Sequence, residues 1–338
     1  MSNQLKRDPT RTTMLRKKFM ADMTRRFKVL SKAIQVLVVD EDCFGLEGPA
    51  ILQVRQVWRF RTDAQKVKAY RGWLQQQVDA NILSPVGGIS GKPWTAPYIE
   101  SAYKKGGLRA YTDLRAEELA NHPSLFKGGQ AEFIRTAFGQ PEALHKIELL
   151  YERAFDELRG VTDVMGQQMS RTLAEGLSQG YGPGKIARNL RTNVTTITRT
   201  RANVIARTEI VRAHAEGQLD AYKRLGVKEI GVMAEWSTAG DERVCIECGE
   251  LEGVVMTIEE ARGLLPRHPN CRCAWIPANK ARREQGQLWG KKKDDAVGKS
   301  IRREGGSIPG KDGKITKKSE FKKTLKETKR RSVWAGKE

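Results

Sequence analysis

Four of the five cysteines and one of the four histidines in this chain fall between residues 245 and 273, and no other feature constrains the fold as tightly. Cys245-Ile246-Glu247-Cys248 is a C-x-x-C knuckle that sets two thiols at the tip of one tight turn. After a loop long enough to fold back, His268-Pro269-Asn270-Cys271-Arg272-Cys273 supplies three more soft donors. Two such knuckles facing each other are what a tetrahedral zinc ion requires. Five candidates then compete for four positions. Cys271 and Cys273, two residues apart, point to opposite sides of an extended segment, so both reach one ion only if the chain turns sharply there. The expected ligands are therefore Cys245, Cys248, His268 and Cys271, with Cys273 as the substitute for His268. Disulfide pairing is the alternative, but the sequence opens without an apolar signal segment, which leads one to expect a reducing compartment. Cys43, beside Asp40, Glu41 and Asp42, is expected to be an ordinary small packing residue.

A chain of 338 residues suits about two domains. Its hydrophobic content of 39% is low and its charged content of 30% high, so parts of it are expected not to pack. No apolar run approaches the roughly 18 residues of a membrane span, and no membrane partner is expected. The charge is concentrated at the ends. Residues 1–32 carry 10 Lys and Arg against 2 Asp and Glu, and residues 280–338 carry 20 against 8, which leaves the 247 residues between them at about +1 of the total +21. A neutral body with cationic arms suits a protein that touches polyanions or acidic surfaces through its termini. In the tail, Lys291, Lys292, Lys293, Arg302, Arg303, Lys322, Lys323, Arg330 and Arg331 are the candidates for sequence-independent contact with DNA phosphates.

The hydrophobic period predicts an α+β protein, mainly helical with long helices, followed by a small β-rich Cys/His knuckle module and a basic low-complexity tail. Residues 1–8 are expected to be disordered. Residues 10–37 read as a basic amphipathic helix with Met14, Phe19, Met23, Phe27, Leu30 and Ile34 on one face, fitted to a partner protein. A short strand is expected around Ile51, Val54 and Val57. Residues 62–80 form a helix capped by Thr62 with Val67, Tyr70, Trp73 and Leu74 buried, and the Gly- and Pro-rich residues 81–96 a loop. Shorter helices follow at 97–106 and 133–138. Residues 142–177 hold one apolar stripe through Ile147, Leu158, Met165 and Leu173 for about ten turns. Glycines then break it, residues 185–190 make a short helix, and Thr195 caps another that runs to about Leu225. Beyond Gly226 the period falls to two. Ile230, Val232, Ala234 and Trp236 form one strand face, 254–256 and 273–276 return as strands, and Thr257 with Glu260 forms a capping box for a helix to Leu265. So small a module has little core, which is the physical reason a metal would be useful to it.

These residues resemble a known family. Arg201-Ala202, Ile205-Ala206-Arg207-Thr208-Glu209, Gly226, Trp236, Asp241-Glu242-Arg243-Val244-Cys245, Cys248, Leu251, Gly253, Pro266 and His268-Pro269-Asn270-Cys271-Arg272-Cys273 are similar, in order, to the phage Mu F-like head morphogenesis domain. The resemblance covers about residues 140–277, with the knuckle module at 228–277, between an N-terminal helical, partner-binding region at 1–139 and the basic tail at 278–338. It implies a minor capsid protein of a tailed phage or prophage. Such a protein is assembled in the host cytoplasm and housed in the phage head, where it associates with the portal and with scaffold or major capsid protein and acts in procapsid assembly. The resemblance also implies an influence on DNA packaging or delivery, and the basic termini suit contact with packaged DNA through its phosphates, without base readout. It implies no enzyme.

Arg207, Thr208 and Glu209 invite a catalytic reading, but three consecutive helix positions point about 100° apart and do not converge on one atom. Glu209 or Arg207 is instead expected to pair with Arg201, Arg243 or Arg272 and lock its helix to the knuckle module. The rival class is a zinc-dependent nuclease or other enzyme acting on nucleic acid. It would need an open coordination position and a base, for which Asp241 is the candidate ahead of Glu242 and Glu247.

Overall fold

The computed structural model describes residues 8–47, 58, 60–84, 91–116, 126–225, 233–241 and 243–278. Several expectations lie outside the described residues: the strand at Ile51, Val54 and Val57, the loop through Pro85, Gly87 and Gly88, the strand start at Ile230 and Val232, Glu242, and the basic tail with its candidate phosphate contacts. The helices are α1 (Thr13–Gln35), α2 (Asp63–Asn81), α3 (Ala96–Ala116), α4 (Gln130–Phe138), α5 (Pro141–Ser178), α6 (Pro183–Ile197) and α7 (Asn203–Arg224). The strands β1 (Met233–Ser237), β2 (Val255–Met256) and β3 (Ala274–Ala278) follow, so the chain is α+β with the small sheet last. None of the helices among the described residues is long and apolar enough to cross a membrane.

Two compact units are each assembled from separated stretches of chain. One holds Met1–Arg16, Tyr98–Leu150 and Arg207–Glu338, and the other Lys17–Pro97 and Tyr151–Ala206. The point 139/140 falls inside the first.

In the second unit, the stripe Phe19, Met23, Phe27, Leu30 and Ile34 of α1 is buried, and Met14, lying before it, is exposed. Phe19 meets Trp94 edge-on at 5.6 Å, and Arg26 lies 4.4 Å over the same ring while donating to the Asn81 carbonyl. The apolar face expected to receive a partner protein is thus consumed by the chain's own core. α2 begins as expected, with Thr62 Oγ1 accepting from the Gln65 amide, and buries Tyr70, Leu74 and Val78, whereas Val67 and Trp73 are half-buried. α5 closes on Gly180, whose φ of 66° only glycine adopts readily, with the Tyr181 amide bonded back to the Gly176 carbonyl.

The predicted break before Thr195 does not occur. α6 starts at Pro183 and passes through a wide π turn, Thr198–Ala202, straight into α7. Thr192, Thr195, Thr198 and Thr200 donate their hydroxyls to the carbonyls four residues earlier, at 2.7 to 2.9 Å. A threonine satisfied on the preceding turn decorates a helix without capping a new one.

The first unit is organised by α7, which is buried on nearly every side from Ile205 to Tyr222. Where it crosses α3 the backbones touch: a Cβ on Gly217 would stand 2.1 Å from the Tyr103 carbonyl oxygen, and one on Gly106 2.0 Å from that of His214. α3 is therefore a full packing helix, twice the predicted 97–106. Beside the crossing, Lys146 bonds Glu216 at 2.7 Å and Asp220 at 2.9 Å, Arg262 bonds the same two carboxylates at 3.1 and 2.7 Å, and the Tyr103 hydroxyl donates to Asp220 at 2.5 Å.

The sheet order is β2-β1-β3, all antiparallel. Trp236 and Trp275 are register partners on β1 and β3, fully buried and edge-to-face at 5.3 Å. The capping box of Thr257 and Glu260 is present, but its helix is the single turn Ile258–Ala261, ended by Gly263 at φ 71° rather than by Pro266.

Candidate metal centre

The first knuckle is built by a local hydrogen bond. Cys245 caps the one-turn helix Ile246–Gly249, its sulfur accepting from the Cys248 amide at 3.3 Å, and this places both thiols on the same side of the turn. The second knuckle is built by Asn270. Its φ of 65° and the bond from the Cys271 amide to the His268 carbonyl make the sharp turn needed to bring both Cys271 and Cys273 inward before β3 begins. The donor atoms of Cys245, Cys248 and His268 lie within 4.8 Å of one another, and so do those of Cys248, Cys271 and Cys273. All five candidates therefore converge on Cys248, and Cys273 is a member of the cluster alongside His268.

The edges of this cluster have the scale of a metal site. Metal–sulfur and metal–nitrogen lengths of about 2.3 and 2.0 Å at a tetrahedral centre put sulfurs about 3.8 Å apart and sulfur about 3.5 Å from nitrogen. The Cys248–Cys271 edge is 3.9 Å, and His268 Nε2 lies 3.1 Å from the Cys245 sulfur and 3.2 Å from that of Cys248. His268 Nδ1 sits 2.8 Å from the Pro269 carbonyl. Once a cation displaces the second proton of the ring, a proton kept on Nδ1 would leave the Nε2 lone pair turned toward the sulfurs, the arrangement metal-bound histidines use to fix their tautomer. Crowding also polarises the thiols. Contact with Cys248, and then with His268, draws Cys245 down to about 4, while Cys245 raises His268 to about 9. Cys271 is held well below its ordinary value by Cys248, and Cys248, hydrogen-bonded to the other cysteines, is pushed up. Cys245 and Cys271 are thus drawn toward the thiolate form that binds a soft cation, whereas Cys248 and Cys273 are held as thiols whose protons a bound cation would displace. The cluster can hold a metal ion.

α7 fastens this centre at three places. Thr208 Oγ1 accepts from the Asn270 amide at 3.1 Å, at the turn between the ligands. The Gln218 carboxamide grips β3 like a neighbouring strand, donating to the Trp275 carbonyl at 2.8 Å and accepting from its amide at 3.3 Å. Glu216 takes Arg262 and the Gly263 amide. Thr208, Gln218 and Glu216 thus tie the helix to the module. Glu209 lies 3.5 Å from Arg212 on its own helix, whereas Arg272 and Arg243 both bind Asp241, Arg272 through both its terminal nitrogens. Arg207 is half-buried near the positive charges of Arg16, Arg272 and Arg243, and burial draws its pKa down. The Arg272 fork, opposed by partial burial and helped by Arg243, holds the Asp241 carboxyl well below the usual range, so it is a poor proton acceptor at neutral pH. Glu247 lies 3.8 Å from Arg267.

Gln218, Glu216 and Asp220 were invisible to motif reasoning, because a Gln or Asp inside a helix usually faces water. Their only sequence signal is the density of small residues around them, Ala213, Ala215, Gly217 and Ala221, which marks a helix approached closely on several sides.

A helical spine carrying a small sheet clasped by cysteines and a histidine is the class of domain this geometry defines. Residues 167–276, from the second half of α5 to the end of the module, match the family described as Phage Mu protein F like protein, which supports a phage Mu F-like head-morphogenesis family for this stretch. Neither a curated protein nor a solved structure matches the chain significantly.

Proposed function

We propose that the protein is a minor head component of a tailed phage or prophage, housed in the virion and associated with the portal and with scaffold or major capsid protein, and that it acts in procapsid assembly. The observation that carries this reading is the match of residues 167–276 to that family, within which the Arg207-Thr208-Glu209 segment of α7 is bonded through Thr208 to the His268–Cys273 turn. The motifs that define the family resemblance are thus the parts that hold the module on its helix, which suits a domain selected for shape. The basic tail would add contact with packaged DNA through phosphates alone.

The metal we assign to the cluster is structural zinc. Four thiols and one imidazole fit it, and a filled shell of protein ligands leaves no vertex for water. When bound, zinc would supply cross-linking free energy to a module whose own core is small. Asp241, clamped by two arginines, supports a structural reading of the turn over that of a base.

Incorporation into procapsids tests the assembly role. Cys245→Ser is expected to reduce the copy number in purified procapsids, measured by quantitative mass spectrometry, while Asp241→Asn folds and is incorporated. Nuclease or transferase turnover by the purified wild type that disappears in Asp241→Asn would overturn the reading.

A further inference from the structure

A second site lies in the helical unit formed by Lys17–Pro97 and Tyr151–Ala206, away from every cysteine. Between 183 and 202 the chain carries Lys185, Arg188, Arg191, Arg199 and Arg201 and no Asp or Glu. α1 carries seven Lys and Arg, and its one acid, Asp22, is paired with Arg25. α1 lies beside α6: Arg191 donates to Gln35 Oε1 at 2.6 Å and to Ser31 Oγ at 3.4 Å, neutral acceptors that hold its guanidinium without cancelling its charge. Two adjoining hollows of about 350 and about 430 Å³ follow this seam. Their walls are the exposed cations Lys28, Arg188, Arg191 and Arg199, with hydroxyls of Ser31 and Thr195 between them, and no carboxylate lines either hollow among the described residues.

The geometry points to this α1–α6 groove as a binding site for the sugar–phosphate backbone of duplex DNA. Arg188 and Arg199 are separated by about 16 Å of helix, a length of duplex that carries about five phosphates on each strand. Cations interleaved with hydroxyls are the donors that phosphates take, and no exposed aromatic ring lines the hollows for stacking an unpaired base. An acidic protein is the competing occupant. Carboxylates are found at irregular spacing, whereas a row of cations along one helix axis suits a ligand whose charge repeats evenly. The row is continuous in the chain because α6 does not break before Thr195 and runs on into the turn Thr198–Ala202 that holds Arg199. The inference rests on this groove alone and stands whether or not the metal centre or the tail acts as proposed.

The test uses the full chain and a 30-base-pair duplex of arbitrary sequence, with affinity measured from 50 to 300 mM salt. In the variant Arg188→Gln, Arg191→Gln, Arg199→Gln, the slope of log K against log salt is expected to flatten by about 2 to 3, at about 0.9 per lost phosphate contact, and affinity at 0.1 M salt to fall about 100-fold or more. A control removes the same charge from exposed cations that line neither hollow, Lys68→Gln, Arg71→Gln and Arg171→Gln, and is expected to move the slope by less than 1. A third variant, Lys291→Gln, Lys292→Gln, Lys293→Gln, separates the tail, and the groove effect is expected to persist in its background. Helical circular dichroism and melting temperature confirm that each variant is folded. Equal losses in groove and control variants, an unchanged slope in the groove variant, or displacement of the duplex by polyglutamate as readily as by unlabelled duplex would each overturn the assignment.

Discussion

The unit built on α1, α2 and α6 and the module that follows β1 order their chains by different means. In the first, one apolar stripe after another disappears into a core: Phe19, Met23, Phe27, Leu30 and Ile34 of α1, then Tyr70, Leu74 and Val78 of α2. Burial of this kind is spread over many side chains, and no one of them is decisive. In the module the strands are two to five residues long, and order comes from directional contacts, four soft donors around Cys248 and three hydrogen-bonded ties to α7. Directional order fails at single points. The difference teaches that a short sheet can be as well defined as a long helical core while being far less tolerant of substitution at a few positions.

The largest effect expected to sharpen this contrast is at the shared ligand. Cys248→Ser should remove close to one zinc per chain, measured by atomic emission, and expose 233–278 to protease while the α1 and α6 helical signal persists. Zinc contributes on the order of 10 kcal/mol to small structural modules. Protection unchanged in strong chelator would break the comparison. Next is Gly217→Ala, whose added methyl meets the Tyr103 carbonyl at 2.1 Å. It is expected to destabilise by about 3 kcal/mol in urea titration, at the upper end of overpacking costs. Gly160→Ala, with nothing within 4 Å of its Cβ in the middle of α5, should stabilise by about 0.5 to 1 kcal/mol. Gln218→Ala strips two bonds from the Trp275 backbone and is expected to cost about 1 to 3 kcal/mol, read as faster amide exchange along β3 before any change in α6. The smallest effect is at Asp241. Its carboxyl is held below its ordinary value of 3.8, so its contribution is complete above that pH and lost as the pH falls below it. The melting temperatures of wild type and Asp241→Asn should therefore begin to converge below about pH 4 and keep converging as the pH falls toward the depressed folded-state value. A constant gap down to pH 2 would remove Asp241 from the module's support.

What was legible in the sequence was local. The long stripe of α5, the Thr62 cap, the Thr257–Glu260 capping box and the identity of the five donors depend on residues within a turn or two of each other, and all are in place. What was missed depends on partners far along the chain. Thr195 reads as a cap only if its hydroxyl is not already bonded to Arg191. Cys273 reads as pointing away from Cys271 only until Asn270 takes a left-handed turn, steadied by Thr208 some sixty residues earlier. α7 looks weakly amphipathic because it has hardly any outside, and its buried Thr208, Glu209, His214 and Gln218 break the rule that polar marks the surface. Two of the three arginines proposed as partners for Glu209 or Arg207, Arg243 and Arg272, bind Asp241.

The way α1 is completed also sets a timetable. Its neighbour across the seam is α6, so Ser31 and Gln35 meet Arg191 only after about 160 further residues have been made. At about 5 to 20 residues per second, a ribosome takes roughly 8 to 30 s to supply that partner. Throughout that interval the side of the newborn helix that carries Phe27 waits for Val194 and Thr195, although Phe19 and Arg26 have met Trp94 much earlier in synthesis.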